Sequence, residues 1–377
     1  MPIGKASLRG YILEEVLAYL IKPAGYSLLI DENQDTRELI KMSAGIGVKG
    51  RGGNHQADVL GQLEWVPAFT FPLRLFVEAK FWLPTPNRKN SVGINWVRHA
   101  VGVVLDINQN NYPLIDRLSL QRYHYAYALF STSGFSKNAM TMALAHQISL
   151  IDLSGPDFSD LRTAIDAAAA ALLPHFRSQV DEDVSNSSDD SQDDEQTMGS
   201  TGNSAIVNMR NNLRTAFNTI PLGVRVELHD RDILEPILRP VINKANMYRE
   251  LFVGMPDGPF ILLLKADDPG AFLEYASAHP RHKVKIRWRI SEDRGKTWKI
   301  YPVDNPDAYQ LSFRLPELLR HWIYRSGSDS RVLALQAKER YLSSVSICHF
   351  ENGVGKIFKL DYDPTDEPTE ISENNPL

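Results

Sequence analysis

The chain has 377 residues, 43% hydrophobic and 23% charged, a composition that excludes wholesale disorder and fibrous or coiled-coil rods and, at roughly 100–200 residues per domain, predicts two or three compact units. Its longest apolar runs, such as 260–264, are far too short to cross a bilayer, it opens without the apolar stretch of a signal peptide, and its single cysteine, Cys348, excludes an internal disulfide framework, so a reducing, cytoplasmic setting is expected. The net charge of −5 is uneven: residues 178–204 hold eight acids and no lysine or arginine, leaving +2 on 1–177 and +1 on 205–377, so nucleic-acid contact has to come from local basic patches.

Leu13, Val16, Leu17 and Leu20 recur at helical spacing, which predicts an amphipathic helix from Gly10 to about Ile21, stopped by Pro23 and Gly25. Strand-like runs follow at 26–30, 57–63 and 73–82, then a helix over 95–107 and a strand over 123–130. A helix from Gly134 to His146, a strand over 148–153 and an alanine-rich helix over 160–173 complete the first part. Strands and helices alternate, so 1–177 is expected to be an α/β domain.

Residues 178–204 are acidic, serine-rich and nearly free of large apolar side chains, and are read as a disordered linker. Beyond it, helices are expected over 206–217, 233–245, 269–277 and 316–324, and strands over 224–228, 260–265, 283–290, 299–303, 345–350 and 354–360. The last two strands join at Asn352-Gly353, a hairpin-turn signal. Residues 205–377 are therefore expected to form a second, α+β domain for recognition, regulation or assembly.

The most informative segment runs from Arg74 to Trp82 (RLFVEAKFW). Strand side chains alternate between faces, so Glu78 and Lys80 share one face, about 7 Å apart, while Leu75, Val77, Ala79 and Phe81 point to the other. Asp58 opens the preceding strand-like run; if the two strands pair, it comes beside Glu78. Two carboxylates on adjacent strands suit Mg²⁺, which takes one or two protein carboxylates and completes its octahedron with water and phosphate oxygens. Such an ion activates water and offsets charge building on phosphate. Lys80 is placed to hold the attacking water or donate to the phosphate, since a lysine's usual pKa near 10.4 disfavours action as a base. The chemistry that suits this set is phosphodiester hydrolysis.

These residues resemble the Asp…Glu-x-Lys nucleases of the restriction-endonuclease-like superfamily, and within it the Mrr-like branch. The resemblance spans about 9–153: the opening Gly10-Tyr11-Ile12-Leu13-Glu14, then Asp58, then Glu78-Ala79-Lys80, then the stretch from Phe130-Ser131-Thr132-Ser133-Gly134-Phe135-Ser136 to Ile151-Asp152. It implies a mixed sheet flanked by helices, with Asp58, Glu78 and the backbone carbonyl of Ala79 as metal ligands. It further implies Lys80 as the catalytic lysine and Glu14 as an accessory acid acting through water. Ala57 stands where the superfamily often has proline and Leu13 where an aromatic is usual; neither change removes a ligand.

Gln56, two residues before Asp58, is a candidate contact to the scissile phosphate. Arg51 in a glycine-rich turn, Arg88, Lys89 and Arg98 are candidate phosphate contacts, each equally readable as surface charge. His55 and His99 are read as structural or groove residues, because Mg²⁺ prefers oxygen. In the second half, Arg281, Lys283, Lys285, Arg287 and Arg289 alternate with apolar residues and make one cationic strand face, a candidate DNA-backbone contact. The following SEDRGKTW run resembles the Asp-box of sialidase hairpins, but a single copy makes it a hairpin turn and no propeller. The expected function is thus a Mg²⁺-dependent DNA endonuclease, with Mn²⁺ substituting, acting as a homodimer or higher homo-oligomer in restriction or phage defence. The alternatives are a catalytically silent nuclease fold that binds or senses DNA, and an RNA- or junction-specific nuclease.

Overall fold

A computed structural model describes residues 4–42, 45–65, 70–83, 91–110, 112–115, 118–120, 122–187, 197–221, 231–248, 251–257, 261–289, 297–324, 330–351 and 354–365. The chain is a mixed α/β protein of two compact units, Met1–Arg249 with Phe350–Gly355, and Glu250–His349 with Lys356–Leu377.

The first unit opens with helix α1 (Lys5–Ile21), which begins ahead of the expected Gly10 because Leu8 already belongs to its buried stripe with Ile12, Leu13, Val16 and Leu17. Strand β1 (Tyr26–Leu28) is followed by β2 (Leu39–Met42), β3 (Gly45–Lys49) and β4 (Asn54–Gln56), which pair antiparallel in a small sheet of their own. Next come β5 (Val59–Leu63), β6 (Leu73–Lys80), helix α2 (Ile94–Asn108), a hairpin of β7 (Tyr112–Ile115) and β8 (Leu118–Leu120), β9 (His124–Ser131), α3 (Lys137–Ala145) and β10 (Ser149–Asp152).

The main sheet has the order β1-β5-β6-β9-β10. Its first three strands are antiparallel; β9 runs parallel to β6, and β10 parallel to β9. Parallel neighbours need a crossover, and α2 and α3 lie in the two connections. Val97, Ala100, Val103 and Ile107 of α2 share a core with Phe76, Tyr125, Tyr127 and Leu129 of the sheet, and α1 packs against β5 and β6. The α3 helix starts where Ser136 accepts a hydrogen bond from Ala139 N–H at 3.3 Å, a side-chain N-cap.

Helices α4 (Ser159–Ser187), α5 (Thr197–Thr219) and α6 (Arg231–Tyr248) complete this unit, and here the structure differs from the sequence reading twice. First, α4 passes Pro174, because Leu172 and Phe176 on either side of it are both buried. Of the expected disordered linker, residues 178–187 and 197–204 are helical backbone, where extending an anchored helix adds one hydrogen bond per residue without a new nucleation step, and 188–196 lie outside the described residues. Second, residues 205–249 belong with the first unit and not with 250–377. The helices α5 and α6 are tied to α1 and α4 by Lys22 to Asn218 (2.6 Å), Tyr19 to Asn246 (2.5 Å) and Lys244 to Asp160 (2.8 Å). They bury Leu213, Phe217, Leu234, Leu238 and Val241. The strand expected over 224–228 lies outside the described residues.

The second unit contains β11 (Leu251–Pro256), β12 (Leu262–Ala266), α7 (Pro269–Ala278), β13 (Arg281–Arg289), β14 (Thr297–Pro302), β15 (Leu311–Phe313), α8 (Glu317–Tyr324), α9 (Ser330–Tyr341), β16 (Ser344–Glu351) and β17 (Val354–Tyr362). Its strands close into a barrel in the order β11-β12-β15-β14-β13-β17-β16. Trp298, Leu264, Ile300, Leu311, Val284 and Phe272 fill the core. The expected hairpin of β16 and β17 is present as neighbouring strands, with Asn352-Gly353 outside the described residues, as is the 291–296 turn between the paired β13 and β14. Among the described residues no helix is long and apolar enough to cross a membrane.

Candidate active site

The pairing of β5 with β6 brings the candidate residues together. Their ladder ends at Val59↔Val77. There Asp58 N–H turns back to the Val77 carbonyl (3.1 Å), and the next donor on β6, Ala79 N–H, is received by the Asp58 carboxylate at 2.8 Å. A side chain thus stands in for a strand carbonyl where the two strands part, which sets the carboxylate beside the Glu78-Ala79-Lys80 backbone.

Glu78 and Lys80 share one face of β6 and pair directly, Nζ to Oε1 at 2.6 Å. This face is no solvated strand surface: Arg74 and Phe76 on it are buried, and the Glu78 and Lys80 side chains keep only 12% and 17% exposure. The Lys80 ammonium lies 3.9 Å from the centre of the Trp96 ring on α2, a cation–π contact that fixes its long side chain. Tyr127 on β9 donates its hydroxyl to the other carboxylate oxygen of Glu78. Burial, and next the Glu78 charge, hold the Tyr127 phenol well above its usual pKa, so it stays a donor. Beyond Lys80, Thr132 clamps the strand end, its N–H donating to the Lys80 carbonyl (3.0 Å) and its hydroxyl accepting from Trp82 N–H (2.9 Å).

Glu14 lies buried on α1, and the Asp58 charge acts on it. Burial, then Asp58, raise its carboxyl above the usual carboxylate range against the pull of Arg210 on α5, with which it pairs. Asp58 is likewise raised, by burial first and also by Glu78, against the Ala79 N–H and Lys80. Burial is the largest cause at both acids, with neighbouring negative charge adding to it against Lys80 and Arg210, and oxygen donors of this kind suit a hard divalent cation. Among the described residues no three His, Cys, Asp or Glu side chains are gathered into a complete metal cage. Two carboxylates completed by water and phosphate are the number Mg²⁺ takes from a protein.

Several candidates lie elsewhere or engage differently. Gln56, at the end of β4, is exposed just before Asp58. Arg98 is exposed on α2 and bonds to Asn95 (3.2 Å) on its own helix, and His99 is exposed beside it. Arg51 is tied to the far end of α2: its N–H donates to the Asp106 carbonyl (3.1 Å), and Gly52 N–H donates to the Asp106 carboxylate (2.7 Å). Ten residues of helix separate Asp106 from Trp96, about 15 Å, so the Arg51 backbone is anchored at the other end of α2 from the aromatic partner of Lys80. His55 bonds the same Asp106 (2.7 Å) and is structural, bracing β4 on α2. Arg88 and Lys89 lie outside the described residues.

On the barrel, Lys283, Lys285 and Arg287 face outward from β13 while His282, Val284 and Ile286 face inward. The strip is partly offset by acid: Arg281 pairs with Asp361 (2.6 Å), Lys283 with Asp363 (3.5 Å), and Lys285 donates to the Asp363 carbonyl (3.3 Å). Arg287 lies over the Tyr301 ring, 5.1 Å from its centre. Arg289 closes β13, and its side chain is outside the described residues.

Sequence reasoning missed Tyr127, Trp96, Thr132 and Arg210. Tyr127 carried a signal: Tyr125 and Tyr127 alternate on a strand, and pairing that strand beside β6 aims them at the Glu78 face. Arg210 carried none, because it lies beyond the acidic segment and was placed in the other domain.

No protein-family model and no curated protein matches the chain. A solved structure described as a protein of unknown function, AF1548, shares 13% identity, covering 63% of this chain and 97% of its own, at a TM-score of 0.27. Nothing about fold or function is carried across so distant a likeness.

Proposed function

We propose that the first unit is a restriction-endonuclease-like, Mrr-like nuclease and that the protein is a Mg²⁺-dependent DNA endonuclease, with Mn²⁺ substituting. The observation that carries the reading is the Asp58 carboxylate seated on Ala79 N–H, beside a Glu78 whose carboxyl is shared between Lys80 and Tyr127. The order of elements supports it: an acid-bearing helix, antiparallel β5 and β6, then parallel β9 and β10 reached through helices.

Asp58, Glu78 and the Ala79 carbonyl would hold the metal, which when bound supplies a lowered water pKa and charge to offset that building on the phosphate. Lys80 is positioned by Glu78 and Trp96 to orient the attacking water or donate to a phosphate oxygen. Tyr127 keeps Glu78 on the cleft face. Glu14 acts through water as the accessory acid. Hydrolysis in this manner leaves 5′-phosphate and 3′-hydroxyl ends, and cutting both strands requires a homodimer or two binding events. Gln56 at the end of β4, Arg98 on α2, Arg51 at the β3–β4 tip, and Lys283, Lys285, Arg287 and Arg289 on the barrel are the proposed DNA-backbone contacts. A cytoplasmic role in restriction or phage defence fits this chemistry.

The test is incubation of the purified chain with supercoiled, linear, single-stranded and modified DNA, and with RNA, in Mg²⁺, Mn²⁺ or EDTA. Cleavage is expected with either metal and not in EDTA, and is abolished by Asp58→Ala, Glu78→Ala or Lys80→Ala in variants whose circular dichroism is unchanged. Binding without cleavage of any substrate would replace the proposal with a DNA-binding or sensing role, and cleavage surviving the three substitutions would refute the site.

A further inference from the structure

Helix α5 follows the acidic segment, yet it brings two arginines one turn apart, Arg210 and Arg214, onto consecutive glutamates of α1, Glu14 and Glu15. The two pairs are not equivalent. Arg214 meets Glu15 at 3.1 Å with 23% of its side chain exposed, and serves to dock one helix on the other. Arg210 is buried: its guanidinium pairs with Glu14, lies 4.8 Å from the Tyr11 ring centre and comes within 3.9 Å of where a Cβ on Gly45 would stand. Its charge also acts on Asp58. One side chain of α5 therefore meets Glu14 and Tyr11 of α1 and the start of β3, and its charge acts on Asp58.

A buried arginine needs an acid, and the acid it takes here, Glu14, is the one on which the Asp58 charge acts. We infer that Arg210 is a positioning residue of the cleft: it fixes the Glu14 carboxyl toward Asp58 and makes the docking of α5 a condition for a competent site. The inference rests on the nuclease reading above. Arg214 supplies an internal control, because it docks the same helix through Glu15 and its charge acts on Glu14 less than that of Arg210.

The experiment uses the full chain and the variants Arg210→Ala, Arg210→Lys, Arg214→Ala, Glu14→Gln and Arg210→Ala/Glu14→Gln. Thermal unfolding is followed in EDTA, and supercoiled-DNA cleavage is followed across a Mg²⁺ titration at saturating DNA. Arg210→Ala and Arg214→Ala are both expected to lower the melting temperature. Arg210→Ala alone should also cut the cleavage rate and raise the half-saturating Mg²⁺ concentration, by about 10- to 100-fold as for other groups that brace a metal site from outside its ligand set. Arg210→Lys should recover part of that loss. In the Glu14→Gln background, Arg210→Ala should cause little further loss either of rate or of melting temperature. The inference is overturned if Arg210→Ala and Arg214→Ala impair cleavage alike, or if the Arg210 and Glu14 effects simply multiply. A wild-type chain that cuts nothing overturns the nuclease reading itself and this inference with it.

Discussion

Lys80 illustrates why a Glu-x-Lys triplet is weak evidence until its face is known. The alternation along β6 was legible, but the sequence suggested that the apolar partners lay on the opposite face alone. In the structure the Glu78 face also carries buried Phe76 and Arg74, with Phe76 stacked on Tyr127 at 5.1 Å. Arg74 heads a second charged group on that face: it donates to Asp35 (2.7 Å), Gln62 (3.1 Å) and the Tyr125 hydroxyl (3.0 Å) and lies 3.5 Å from the Tyr123 ring centre. Asp35 also takes a hydrogen bond from Arg122 (3.0 Å). Burial alone would raise Asp35, but the hydrogen bonds from Arg74 and Arg122 outweigh it and hold its carboxyl below 3.8. Its folded-state value is depressed, so its stabilisation is complete above 3.8 and is lost as the pH falls through the lower folded value. Urea unfolding from neutral pH downward should show this acid-side loss. Arg74→Met should start about 3 kcal/mol less stable, because it breaks a buried pair, and should show a shallower acid slope; an unchanged slope would refute the assignment.

At the level of elements, long periodic segments were legible and short polar ones were not. The helices α1, α2, α3 and α6 and the strands β5, β6, β9 and β10 fall close to their expected ranges, since each carries an apolar stripe or alternation set by what it packs against. The β2–β4 sheet escaped because Lys49, Asn54, His55 and Gln56 give no alternation to read and its strands are three to five residues long. Strands β11 and β15 and helix α9 likewise went unread, α9 because its sequence is mostly polar. The link from β9 to α3 depends on Gly134, at φ +74°, whose carbonyl accepts from Val92 N–H (2.9 Å) and the Ser131 hydroxyl (3.1 Å). A Cβ there would also stand 3.2 Å from the Ser154 hydroxyl oxygen. Gly134→Ala should therefore destabilise the first unit by about 1–3 kcal/mol, seen as a lower urea midpoint. Wild-type stability in that variant would show that the turn relaxes freely.

The division of the whole molecule was the least legible feature, because composition marked the acidic stretch as a boundary while side chains beyond it belong to the fold before it. The ion pairs of Glu14 and Glu15 with Arg210 and Arg214, and the buried Leu213, Phe217 and Leu238, are long-range facts that no local pattern announces. A fragment ending at Arg177 should accordingly fail to fold, exposing two buried acids and an apolar surface. Extension to Arg249 should restore helical circular dichroism and resistance to protease; a well-folded shorter fragment would contradict this. The barrel of the second unit has a different consequence. Among the described residues the strands form a closed ring with no terminal strand to offer spare backbone donors and acceptors for a partner's strand. The outer wall of that ring instead displays side chains, among them Lys283, Lys285 and Arg287 of β13.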